Sequence, residues 1–441
     1  MSNAQRDGLY LMLIGTVIFV LLGIGLTNAT PAPMADFKAV YFPARALLAH
    51  RDPYIESEVA PIYEASRAGL PPEAEKIRQI ATWGIYPPSA LVLTTPFAML
   101  SWKSACFVWM ILMLGGFIAA SWLMWNLCAD ESPVVSGALI AFLLANSMLL
   151  PITANVAGVA ISLCVIAVWC FLRDRLVLLG VLCLAASLAL KPHDAGAVWL
   201  CLLLAGGVFR KRALQTLLAT AVLIVPGLLW VQHIAPHWLS EMSANIAAFA
   251  MHGGQADPSA ASSAAHGLDM VVTLQTVFSL FIDNPRFYNL AAFIVCGALL
   301  LVWIRYVLRR RGDAQTTVKL ALAAIVPLSL LPIYHRQLDC AMLLLAVPAC
   351  VILMKQNNPA GRLALPITWT AFILTGAIFW AIFFAIFTAD RIPKALGWLR
   401  AGAEVLPVPL ILLATGCFYL WALAGQHSAP EVAGSRALAG Q

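Results

Sequence analysis

Three short polar clusters stand out because each lies against long apolar runs, where charge is costly unless it is paired or used. Asp36 opens the stretch DFKAVYFPARALL, roughly ten residues past the end of the first apolar run. A carboxylate there could be catalytic. It could also cap a helix, since Asp suits that position and that end of the helix dipole. The two roles are compatible. Lys191-Pro192-His193-Asp194 and Tyr334-His335-Arg336-Gln337-Leu338-Asp339 form two tight turns with no room for a solvated loop. Lys, His and Arg donate charge-assisted hydrogen bonds to phosphate. Lys191 with His335 and Arg336 could therefore form an anion site at headgroup level. The plainer role for both turns is anchoring to lipid headgroups, with Lys191 snorkelling.

Two further groups occupy the segment after Asp36. His50-Arg51-Asp52-Pro53-Tyr54 contains a turn signal, and Tyr86-Pro87-Pro88 fits the start of a helix. We take Tyr41, Arg45, Asp52, Tyr54 and Tyr86 as candidate substrate contacts. There is no HExxH, no Walker loop, no GxSxG and no dinucleotide fingerprint. Of the ten cysteines, seven lie inside apolar runs, and there is no CxxC pair, so they read as small core residues. No metal and no cofactor are expected.

Composition dictates the elements that must position these groups. Of 441 residues, 61% are hydrophobic and 11% charged. That much apolar surface could not be buried in a soluble fold, which excludes a soluble enzyme, a nucleic-acid-binding domain and a disordered chain. The runs are continuous rather than alternating, which excludes an outer-membrane barrel. The charge of +6 sets orientation rather than a nucleic-acid partner. The expected fold is an all-α polytopic membrane protein of about twelve transmembrane helices. The spans are 8–27, 105–126, 134–151, 155–172, 176–190, 194–209, 213–231, 287–308, 317–333, 338–354, 363–388 and 406–424. The first is read as a retained span rather than a signal peptide.

Residues 87–100 and 268–282 are apolar but short. If neither crosses and the N-terminus is cytoplasmic, the clusters Arg173/Arg175, Arg210-Lys211-Arg212, Arg309-Arg310-Arg311 and Lys355/Arg362 all fall inside. Both stretches are thus expected to be re-entrant or interfacial, with both termini inside and long external segments at 27–103 and 232–286. Within the first, Phe37, Val40, Tyr41, Ala44, Leu47 and Leu48 mark one face of a helix. That helix is expected to lie along the outer membrane surface and to kink at Pro43. Residues 1–425 read as one transmembrane domain. The small-residue tract 252–266 reads as mobile, and 426–441 as a flexible cytoplasmic tail.

These features, in this order, resemble a known family. The motifs are DF-x₃-YF-x-AR-ALL-x₃-DPY after span 1, then YPP, a KPH turn after span 5, and YHRQLD late in the chain. They are similar to the GT-C superfamily of membrane glycosyltransferases. The nearest likeness is to the family holding the polyprenyl-phosphate-mannose-dependent α-mannosyltransferases of phosphatidylinositol mannoside synthesis. The family often has Gly-Gln before its fourth span, where this chain reads Ala154-Asn155. The resemblance implies an inverting transferase in a bacterial cytoplasmic membrane, its active site facing outward. It would move one sugar, mannose first, from a polyprenyl-phosphate sugar donor to a lipid or glycan acceptor. Asp36 would be the base, and Lys191, His193, His335 and Arg336 would hold the donor phosphate. No metal would be needed, and membrane lipids would be its other partners, the chain acting as a monomer. Two other classes fit twelve spans: an oligosaccharide polymerase or ligase, and a small-molecule transporter. Against a transporter stand the absence of an internal repeat and the scarcity of charge within spans.

Overall fold

The computed structural model describes residues 2–30, 33–67, 74–265, 270–309, 313–386 and 402–425. Among these, helices dominate, and β pairing is limited to one isolated bridge between Val271 and Arg336. In chain order the helices are α1 (Asn3–Ala29), α2 (Ala35–Leu48), α3 (Glu56–Ser66), α4 (Glu75–Thr82), α5 (Pro88–Ala98) and α6 (Trp102–Cys128). Then come α7 (Pro133–Asn146), α8 (Leu149–Thr153), α9 (Val156–Arg173), α10 (Val177–Leu190), α11 (Pro192–Ala205), α12 (Gly207–Ile234) and α13 (Trp238–Ala250). The second half holds α14 (Ala260–Ala265), α15 (Leu274–Ser279), α16 (Pro285–Leu308) and α17 (Ala314–Ser329). A 3₁₀ helix (Gln337–Ala346) then runs into α18 (Val347–Met354), followed by α19 (Pro359–Thr375), α20 (Ala377–Ile386) and α21 (Pro407–Gly425).

The protein is a polytopic membrane protein. Eight described helices are long and apolar enough to cross a bilayer, counting α7 with α8 and the 3₁₀ helix with α18. A ninth forms if α19 and α20, bent by 59°, act as one span. The other three apolar runs became α10, α11 and α17, with 14, 14 and 16 residues. At 1.5 Å per residue they measure roughly 21–24 Å, short of a hydrocarbon core of about 30 Å. Their shortness matters to the site. α10 and α11 meet at the single residue Lys191, so a polar junction ends up inside the protein. Residues 387–388 of the eleventh run and the tail 426–441 lie outside the described residues.

The two short apolar stretches are short helices. α5 has 11 residues, about 16 Å, with Pro88 at its first position as the double proline suggests. Both its ends are tied to one end of the bundle. Ser89 Oγ donates to the Ala189 carbonyl at 2.7 Å, near the end of α10. The Leu100 carbonyl accepts from Tyr41 Oη at 2.8 Å. In the second stretch, residues 268–269 lie outside the described residues, and the rest forms the six-residue α15 with the strip before it.

α2 departs from the surface-helix expectation. All but three of its residues are buried, polar ones included, because α3, α4 and α5 all pack against it. Its amphipathic pattern marks the face toward the bundle, and α3, α4 and α5 cover the rest of its surface. Phe37 stacks on Trp109 at 4.6 Å and on Trp102 at 5.6 Å, locking α2 to α6. The helix continues through Pro43 as one element. α1 is held just as closely against α7: a Cβ added at Gly15 would lie 2.6 Å from the Ala141 Cα. Small residues at such crossings let helices approach and gain dispersion contact where no hydrophobic force acts between them.

Candidate functional site

The site is built from helix beginnings. Asp36 lies in the first turn of α2, but the residue that caps this helix is Met34, in a left-handed conformation. Asp36 is therefore not the cap. Its side chain turns away from the helix and is nearly buried, at 6% exposure. Oδ2 accepts from Asn155 Nδ2 at 2.8 Å, and Oδ1 lies 3.6 Å from Arg336 Nη1. Asn155 cannot flip its amide here. Its Oδ1 already accepts from the Ala157 N–H at 2.8 Å, capping α9, so Nδ2 must face Asp36.

The two polar turns come together across almost 150 residues of sequence. Lys191 Nζ lies 2.5 Å from Asp339 Oδ1 and 3.1 Å from Asp194 Oδ2. Asp339 Oδ2 accepts from the Arg336 backbone N–H at 2.9 Å, so this carboxylate joins the Lys191 ammonium to the arginine turn. Asp194 Oδ1 lies 3.3 Å from His335 Nε2 and 3.7 Å from His193 Nε2. Lys191, Asp194, His335 and Asp339 are all buried. The guanidinium of Arg336 is also hydrogen-bonded to the Tyr334 hydroxyl and stacks over its ring at 5.7 Å.

The strip before α15 holds the arginine turn in place. Val272 N–H donates to the His335 carbonyl at 3.0 Å, and Gln337 N–H donates to the Met270 carbonyl at 3.0 Å. This is the one extended strip among the described residues, with Val271 opposite Arg336. It fixes the backbone from which His335 and Arg336 project.

The candidate substrate contacts divide. Tyr86 belongs to the cluster: its partly buried hydroxyl has its pKa raised, first by desolvation, then by Asp36, with Lys191 and Arg336 opposing. The polar atoms of Tyr41 and Arg45 face away from Asp36, toward the end of α5. Arg45 Nη1 donates to the Tyr41 hydroxyl at 3.0 Å and to the Leu100 carbonyl at 3.2 Å. Asp52 closes its own turn, accepting from the Tyr54 N–H at 2.8 Å. The Tyr54 hydroxyl donates to the Tyr86 carbonyl at 3.1 Å, which positions Tyr86 from behind.

Sequence reasoning passed over three members of the cluster. Asn155 stood out only as a departure from a family pattern, yet it makes the one direct hydrogen bond to Asp36 seen among the described residues. Asp194 and Asp339 were visible in their turns but had no assigned partner. The signal was there: a buried lysine in a membrane helix junction demands carboxylates.

Chemically, the cluster offers a carboxylate base held by one amide, with an arginine beside it whose side chain keeps 15% exposure. This suits deprotonation of a hydroxyl next to an anionic leaving group. No curated protein and no solved structure matches the chain. A family model does: Glycosyltransferase family 87 matches residues 85–331, more than half of the chain. The match includes Tyr86, Asn155, Lys191, His193 and Asp194. Asp36 precedes it and residues 334–339 follow it, and the fold brings both to the matched residues. The chain thus belongs to glycosyltransferase family 87, a family of GT-C type, and is a membrane glycosyltransferase.

Proposed function

We propose that the chain transfers one sugar from a polyprenyl-phosphate sugar donor to a hydroxyl of a lipid or glycan acceptor, with inversion. Mannose is the first choice of sugar, and the outer face of a bacterial cytoplasmic membrane is the place. The observation that carries this reading is the Asp36–Arg336 pair at 3.6 Å. At that distance it is an ion pair without a short hydrogen bond. An incoming phosphate can take Arg336 from Asp36, since guanidinium matches phosphate in a bidentate fork. Asp36 is then left with the Asn155 amide and is free to accept the proton of the acceptor hydroxyl. The donor's anomeric carbon–oxygen bond breaks as the acceptor oxygen attacks from the opposite face. The leaving phosphate stays on Arg336.

The four residues assigned to the phosphate then differ in role. Arg336 is the direct contact. Lys191 is held by two carboxylates and acts mainly by fixing the arginine turn through Asp339. His193, with its side chain 36% exposed, is the histidine open to a ligand, and His335 is fully buried behind it. The test is incubation of the purified protein with a panel of polyprenyl-phosphate sugars and native lipids, read by mass spectrometry. A hexose added to an acceptor from one donor supports the reading. Transfer from a nucleotide sugar alone would refute it.

A further inference from the structure

His335 presents a chemical contradiction that a metal ion would resolve. Its Nδ1 lies 3.1 Å from the Ile333 carbonyl. A carbonyl can only accept, so Nδ1 carries a proton, and in a neutral ring Nε2 then carries the lone pair. That lone pair faces Asp194 Oδ1 at 3.3 Å. Two acceptors therefore oppose each other, both buried, with nothing donated between them. Asp194 Oδ1 and His335 Nε2 have no hydrogen-bond partner among the described residues, while Asp194 Oδ2 is held by the Lys191 ammonium at 3.1 Å. Leaving such groups unsatisfied in the interior costs about 1–3 kcal/mol each. His193 adds a third atom: its Nε2 lies 3.7 Å from the same oxygen, and the rings stand edge-on at 5.1 Å. The three ligand atoms all fall within 4.8 Å of one another.

We propose that His193, Asp194 and His335 bind a divalent transition-metal ion, zinc or manganese, at the junction of α10 and α11. The spacing fits. With metal–ligand bonds of about 2.1 Å, a 3.3 Å separation subtends an angle near 100° at the ion, and 3.7 Å subtends about 120°. Both lie around the tetrahedral value. Two imidazoles and one carboxylate favour zinc or manganese over magnesium or calcium, which prefer all-oxygen sites. The supporting shell is already in place. The Ile333 carbonyl holds the His335 ring through its other nitrogen, as metal-ligating histidines require. Lys191 pairs with Asp194 Oδ2 at 3.1 Å and leaves Oδ1 to the ion. The partial exposure of His193 leaves a fourth position open on the ligand side, the arrangement of a reactive site rather than a structural one. Binding of the ion does not depend on the donor assigned above. If that reading holds, the open position would accept a phosphate oxygen of the donor.

The full-length protein in detergent is stripped with a chelator, incubated with Zn²⁺ or Mn²⁺, desalted and assayed for bound metal and thermal stability, without any donor. The expected result is one ion per chain and a raised Tm. His193→Ala removes a ligand from the accessible side while leaving the buried pair intact, and should weaken binding at least ~10-fold. The variant His252→Ala should change nothing. It removes the other histidine near carboxylates, 3.4 Å from Asp257 and 3.7 Å from Asp283. A stripped protein that takes up no ion overturns the proposal, and His335 then carries a second proton donated to Asp194. Equal uptake by the wild type and His193→Ala also overturns it. Because no donor is present, failure here leaves the transferase reading standing, and failure of donor transfer leaves this one standing.

Discussion

Replacing Asp36 by Asn separates chemistry from architecture. The substitution keeps the side-chain volume and one carbonyl oxygen. Asn155 is fixed as a donor by its cap on α9, so the new amide must place its oxygen where Asp36 Oδ2 stands, at 2.8 Å. That hydrogen bond survives. What is lost is the ion pair to Arg336 at 3.6 Å, in whose place an NH₂ group now faces the guanidinium. A loose, partly exposed pair of this kind contributes at most ~1 kcal/mol, so Tm should shift by a few degrees at most. The loss of a positioned base should cost ~10²–10⁴-fold in turnover, about 2.7–5.5 kcal/mol in the barrier. Donor affinity should hold, because Arg336 gains freedom to meet phosphate. The assay is initial rate of sugar transfer with the preferred polyprenyl-phosphate donor, alongside a melting curve of the same preparation. An Asp36→Asn protein that melts normally and transfers sugar at close to the wild-type rate would falsify the role given to Asp36.

Three other outcomes are expected. Lys191→Met strands Asp194 and Asp339 without their cation and should destabilise the protein by ~3–5 kcal/mol, the usual cost of breaking a buried pair. Adding Asp339→Asn should recover part of that loss, and additive melting shifts in the double variant would rule out the coupling. Ala154 occupies the left-handed region, with φ 54°, where the related pattern has Gly; Ala154→Gly should therefore raise stability by up to ~1 kcal/mol in a denaturant or thermal melt. A cysteine placed at Lys103, at the start of α6, should react with an impermeant thiol reagent from outside intact cells. Labelling from the cytoplasmic side alone would reverse the assigned orientation.

Much of the architecture was legible because a bilayer imposes a strong length rule. Continuous apolar runs located every long helix among the described residues. Residues 87–100 were expected not to cross, and the helix they form, α5, has 11 residues. Periodicity was less informative for α2. An apolar stripe says which face meets the bundle, but not whether a second layer covers the opposite face, as α3 and α4 do. Side-chain partners were least legible. Tyr41, Arg45, Asp52 and Tyr54 have residue types that suit sugar recognition, and in the folded chain their polar atoms also hydrogen-bond within the protein. Nothing local in the sequence distinguishes an arginine aimed at a carbonyl from one aimed at a ligand. Asn155 illustrates the reverse case, since its contact with Asp36 spans 119 positions of sequence.

The cluster raises a last question: how it carries three buried carboxylates, Asp36, Asp194 and Asp339, beside the cations Lys191 and Arg336. Each carboxylate lies in the first turn of its own helix. Asp36 begins α2, Asp194 begins α11 and Asp339 begins the 3₁₀ helix. The first turn carries the positive end of the helix dipole and its unpaired N–H groups, which favour a negative charge by roughly 0.3–1 kcal/mol and more when partly buried. α9 directs its own N-terminus to the same place, since its cap residue is Asn155. Four helix beginnings thus converge on one end of the bundle. The short helices explain how. A helix running the full thickness of the bilayer would carry its terminus out to water. The junction at Lys191 and the start at Gln337 are instead buried in the protein, where the dipole field is screened least. The same field would act on a phosphate brought to Arg336. On this view the brevity of α10 and α11 is a requirement of the site, and lengthening either helix by one turn should move Lys191 away from Asp339 and separate the two polar turns on which the proposed chemistry depends.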